Sequence, residues 1–119
     1  MRSRLLLALL ATVAWVVGAP AAALATDPVT LGAGRVLDEA GVLSSSEETA
    51  IQSRYEALSQ SSGVDLWVVY VPTFTNPSSS QEWADTVAED NGLGIHQYLL
   101  AVSTEGRQYY LSGAQEGPV

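Results

Sequence analysis

The chain has 119 residues and a formal charge of −8, from five Arg, no Lys and thirteen acidic residues. An acidic chain without Lys is ill suited to a phosphate backbone, which argues against nucleic-acid partners. The absence of Cys removes disulfides, thiolate zinc sites and Cys nucleophiles, and a single His cannot build a multi-His metal centre.

Arg2 and Arg4 precede an apolar run over residues 5–17 whose one polar residue is Thr12, and Ala23-Leu24-Ala25 follows. A basic start, an apolar centre and a small-x-small end form the layout of a secretory signal peptide, residues 1–25, cleaved after Ala25. As a helix, the run reaches ~20 Å against a hydrocarbon core of ~30 Å, which favours cleavage over an anchor. An uncleaved signal would instead tether the chain to a membrane. No later stretch is long and apolar enough to span one. The remaining 94 residues keep three Arg and all thirteen acids, a charge of −10, in a size suited to one small domain.

Residues 26–34 contain Asp-Pro and two Gly and show little periodicity, so they read as an extended leader, mobile rather than packed. The domain itself is expected over residues 35–119. Arg35-Val36-Leu37-Asp38 suits a short strand, followed by a turn at Glu39-Ala40-Gly41. Ser44 with Glu47, and Ser45 with Glu48, both match a capping box at a helix start. Ile51, Tyr55 and Leu58 then make one inward stripe, and Ser61-Ser62-Gly63 ends the helix.

Residues 64–71 are the clearest strand: Leu66-Trp67-Val68-Val69-Tyr70-Val71 is continuously apolar, so helices are expected on both faces of its sheet. Asp65 at its start is expected at the sheet edge with a structural role. Residues 72–80 form a loop beyond the carboxyl end of that strand, where open α/β sheets bind ligands. The plainer reading makes it a connection with Phe74 tucked down as a plug. A second helix starts near Ser79 or Ser80, buries Trp83, Ala84, Val87 and Ala88, and stops at Asn91-Gly92-Leu93-Gly94. Tyr98-Leu99-Leu100-Ala101-Val102 completes a parallel β-α-β unit with a right-handed crossover. A turn at Thr104-Glu105-Gly106 returns residues 107–112 as an antiparallel partner. The fold class is thus α/β, a small mixed sheet sandwiched by helices. One sheet face is short of helical cover, so the domain is expected to be incomplete at its C-terminal side.

Val36-Leu37-Asp38-Glu39-Ala40-Gly41-Val42-Leu43-Ser44, the Glu-rich helix start, Gly63-Val64-Asp65-Leu66-Trp67-Val68-Val69-Tyr70-Val71, Trp83-Ala84, and residues 92–110 together resemble the TPM-domain family, in its actinobacterial form. The likeness covers residues 35–113. It implies an α/β sandwich in an extracytoplasmic protein, secreted or membrane-associated, of the envelope or thylakoid-lumen type. In some members it implies acid phosphatase activity with calcium or another divalent cation held by carboxylates near strand ends. Carried over residue by residue, only Asp38 matches an acidic position of the family motif, and it is the one metal-ligand candidate. The acidic residue expected before the Leu-Leu-Ala-Val strand is replaced by Ile95-His96-Gln97-Tyr98.

The catalytic residues remain unassigned. A phosphatase needs a nucleophile or activated water and a positive group for the phosphoryl charge, and neither a Gly-x-Ser-x-Gly elbow nor a phosphate-cradling Gly loop is present. His96 reads as a loop-surface residue, and Tyr109-Tyr110 as strand packing. The expected function is a non-catalytic binding or assembly module whose partner is an envelope protein or a divalent cation. The alternatives are a divalent-cation-dependent acid phosphatase and a metal-binding module without turnover.

Overall fold

The computed structural model describes residues 25–115 with Gly117 and Pro118. The signal-peptide expectation lies outside the described residues except at Ala25. In chain order the elements are β1 (Ala25–Thr26), β2 (Val36–Asp38), α1 (Ser45–Ser62), β3 (Asp65–Val71), β4 (Thr73–Phe74), α2 (Ser80–Asp90), β5 (Gln97–Ser103) and β6 (Gln108–Ser112).

The main sheet runs β2-β3-β5-β6. β2 pairs parallel to β3, and β3 parallel to β5 over its whole length, from Asp65 opposite Gln97 to Val71 opposite Ser103. β6 returns antiparallel to β5, with Ala101 opposite Tyr110. The mixed α/β sheet expected from the apolar runs is therefore present, with the parallel β3-α2-β5 unit and the closing hairpin.

Strand pleating sorts the side chains onto two faces. On one face Val69 and Val71 of β3 and Leu99 and Ala101 of β5 are fully buried under Trp83, Ala84 and Val87 of α2. Phe74 plugs this layer as the loop composition suggested, its ring tilted against Trp83 with centroids 4.7 Å apart. The other face carries Val68, also buried, and Tyr70. α1 packs there: no residue of α1 joins the α2-side core, and Tyr55, half-buried beside Tyr70, has its pKa raised by loss of water and by that neighbouring phenol.

Both helices begin where hydroxyl chemistry directs them. Ser44 caps α1 with a complete box: its Oγ accepts from Glu47 N–H and Glu47 Oε1 accepts from Ser44 N–H, at 3.2 and 2.9 Å. The Ser44 N–H, and after it the Ser44 hydroxyl, holds the Glu47 carboxyl below its ordinary pKa. Ser79 caps α2 by accepting from Glu82 N–H at 3.3 Å. Gly63 ends α1 at φ 74°, a left-handed conformation costly for side-chain-bearing residues, and its N–H reaches Ser59 O at 2.8 Å.

Two expectations are corrected. The inward stripe of α1 is Ile51, Tyr55 and Ser59, not Leu58, which is exposed. Ser59 turns inward because its Oγ donates to Asp65 at 2.6 Å, a bond a Leu cannot make. Residues 26–34 have packing partners and are no loose leader. Thr26 sits in β1, paired parallel with β4, and Val29 and Leu31 pack on the core. Asn91, at the end of α2, donates to Val29 O at 3.1 Å and accepts from Leu31 N–H at 2.8 Å.

Candidate functional site

At the carboxyl end of the parallel strands the chain reverses three times, after β2, β3 and β5. Asp38, the last residue of β2, faces the turn that leads to α1. Its Oδ2 accepts from Leu43 N–H at 2.8 Å and its Oδ1 from Val42 N–H at 3.2 Å. One carboxylate thus fastens two amides that the turn would leave unpaired, and so sets the entry into α1. Glu39 and Ala40 N–H both donate to Tyr70 O, at 2.8 and 3.0 Å, tying the same turn to β3. The loop after β5 is fixed similarly. Ser103, buried, donates to Pro72 O at 2.9 Å and accepts from Gly106 N–H at 3.1 Å.

The fit of a hard cation at Asp38 can be judged from this donor set. Calcium takes six to eight oxygens. Both Asp38 oxygens already serve amide donors, and among the described residues no three His, Cys, Asp or Glu side chains converge. Among the described residues, therefore, no cluster of three such side chains completes a calcium centre around Asp38.

The other clusters lie elsewhere. Asp65 starts the interior strand β3 at the opposite, amino-terminal end of the sheet. It accepts from Ser59 Oγ and pairs with Arg35 at 3.1 Å, and the Ser59 hydroxyl, then Arg35, holds its carboxyl below the ordinary range. The Arg35 guanidinium lies 5.2 Å above the Trp67 ring, which makes it a cation–π and ion-pair bridge from the residue before β2 to β3. Asp65 thus has partners within the domain, and it lies on an interior strand rather than at the expected sheet edge. A groove of about 320 Å³ runs between the second half of α2 and the β5–β6 hairpin, lined by Asp85, Glu89, Gln97 and Ser112. Ser112, buried, donates to Asp85 at 2.6 Å and so pins β6 to α2. The groove is remote from Asp38, since Gln97 begins β5 whereas Asp38 aligns with its far half through Tyr70 and Val102.

His96 is exposed in the turn before β5, as expected of a loop residue. The Tyr pair divides: Tyr110 packs on the core, whereas Tyr109 points to the other face and is 74% exposed. Sequence reasoning missed Arg35 and the Asp85–Ser112 contact. The first needed the register that sets Arg35 beside Trp67, and the second joins residues 27 positions apart that no local spacing connects.

This combination of fold and opening motif is that of a TPM domain. A family model described as TPM domain matches residues 36–117, and the chain belongs to that family. It is 39% identical over 90 residues to the UPF0603 proteins MT2410 and Rv2345 of Mycobacterium tuberculosis; the match covers 71% of this chain but only 14% of each of those proteins. Two solution NMR structures are similar. The N-terminal domain of the cg2496 protein of Corynebacterium glutamicum has a TM-score of 0.63 and 26% identity, over 76% of this chain and 64% of that one. The N-terminal domain of a protein from P. gingivalis has a TM-score of 0.61 and 26% identity, over 66% of this chain and 52% of that one.

Proposed function

We propose that this TPM domain works outside the cytoplasm as a non-catalytic binding or assembly module of an envelope protein. The observation that carries the reading is the use made of Asp38. The position that the family likeness offers as a metal ligand serves here as the fastener of the β2–α1 turn, with both oxygens engaged. The basic-apolar-small layout of residues 1–25 supports export, and mature protein then begins at Thr26. The partner surface has support of its own, for Tyr109 and Leu111 of β6 stand exposed on the sheet face opposite α2. The charge of −10 over residues 26–119 favours a partner that is basic around an apolar centre.

The test has two arms. Material exported by an expressing cell is sequenced from its N-terminus, and Thr26 is the expected first residue; retention of Met1 sinks the export reading. The chain is then incubated with a generic phosphate monoester in mildly acidic buffer, with and without millimolar calcium or magnesium. Release at the blank rate is expected. Divalent-dependent turnover, lost in Asp38→Asn, would establish the acid phosphatase instead.

A further inference from the structure

The expected processing bond, Ala25–Thr26, lies inside the folded domain. Ala25 pairs with Thr73 and Thr26 with Phe74, so the bond is the centre of a parallel two-strand ladder. The Thr26 carbonyl accepts two donors from different elements, Thr75 N–H at 3.0 Å and Trp83 Nε1–H at 3.0 Å. Trp83 is fully buried in the core, so one of those donors cannot swing aside without opening the packing of α2. The residues downstream are held as well, by Asp27 with Asn76 at 3.0 Å and by Asn91 with Val29 and Leu31.

A peptidase needs its substrate extended and free along its backbone on both sides of the bond to be cut, since it binds that stretch as an added strand. Here the stretch after the bond is already an added strand of its own domain. We propose that folding conceals the processing site, so that the cut after Ala25 is made before β1 docks on β4, and that the released N-terminus then becomes a structural strand. The step is a hydrolysis: water adds across the Ala25–Thr26 amide, leaving the Ala25 carboxylate on the signal and the Thr26 ammonium on the domain. The Thr26 carbonyl and its two donors lie beyond the bond and survive the cut. A chain that folds first retains its signal and with it an apolar N-terminal segment. The order of folding and cutting thereby selects between a free and a tethered form. This inference rests on the reading of residues 1–25 as a cleavable signal.

The full 1–119 chain, refolded in detergent micelles, is incubated with a purified signal peptidase, and the product of cleavage after Ala25, which starts at Thr26 or, in the inserted chain below, at the first inserted residue, is followed by mass and N-terminal sequencing. Two comparators expose the bond. Val68→Asp prevents the core from forming. A six-residue Gly/Ser insertion between Ala25 and Thr26 moves the cut site out of the strand while leaving the fold intact. The native chain is expected to be cut at least about tenfold more slowly than either, since cleavage must await local opening. Equal rates for the native and inserted chains overturn the concealment and leave the signal reading standing. If neither comparator is cut after Ala25, the signal reading fails and the proposal falls with it.

Discussion

Asp38 and Asp65 are both carboxylates at strand ends, and the fold gives each a different dependence on solution conditions. Asp38 accepts from two amides of one turn, so its loss is a loss of local hydrogen bonding. Asp38→Asn retains one accepting oxygen, and it should cost about 1–2 kcal/mol. The shift in melting temperature should be the same with and without millimolar calcium. A calcium-induced rise in the parent that disappears in the variant would make Asp38 a ligand after all. Asp65 is held below the ordinary value of 3.8 by Ser59 and Arg35. A carboxyl lowered on folding stabilises the native state fully above its unfolded pKa and loses that contribution as pH falls toward the folded value. Stability should therefore drop below about pH 4. Asp65→Asn should flatten that acid limb while lowering stability at pH 7, as urea titrations across pH will show.

The two helices differ in what holds them, and so in what breaks them. α1 buries no residue completely, so its end contacts weigh heavily: the capping box at Ser44, the left-handed Gly63, and the Ser59–Asp65 bond. Ser44→Ala should cost about 1 kcal/mol, with faster amide exchange in the first turn of α1 and little change in α2. α2 is fixed through its apolar side, where Trp83 joins the sheet, Phe74 and β1. Trp83→Phe keeps an aromatic ring but removes the donor to Thr26 O and leaves space. A loss of about 1–3 kcal/mol is expected, together with faster amide exchange at Thr75. Unchanged exchange there would mean that β1 holds without the indole.

At the scale of the molecule, β3 is the strand on which the domain depends. It is paired on both edges, by β2 and β5, and covered by α2 on one face and α1 on the other. Val68 is 1% exposed on the α1 side. Val68→Asp would bury an unpaired charge there, and the variant should show no cooperative melting transition. A normal melt would mean that α1 can lift away from the sheet without loss of the fold. The two faces are unequal beyond β3. The α2 side is closed by Phe74, Val29 and Leu31, whereas Leu111 and Tyr109 remain exposed on the other side of β6.

Several features were legible in the order of residues alone because their causes are local. The apolar runs at 66–71 and 98–102 specify interior strands, the Ser-Ser-Ser-Glu-Glu start and Gly63 specify the bounds of α1, and the Val36–Ser44 motif marks the TPM family. Phe74 as a plug follows from one aromatic in a polar loop. What had no local cause needed the tertiary structure. The strand at Ala25–Thr26 has too little apolar pattern to announce itself, and it exists because β4 and the Trp83 indole offer partners some fifty residues away. Helical periodicity allowed Leu58 or Ser59 to face inward, and Asp65 decided for Ser59. The contacts of Asp38 were illegible for the same reason. Which donors a carboxylate meets depends on how the chain turns after it, and here they are the amides of Val42 and Leu43.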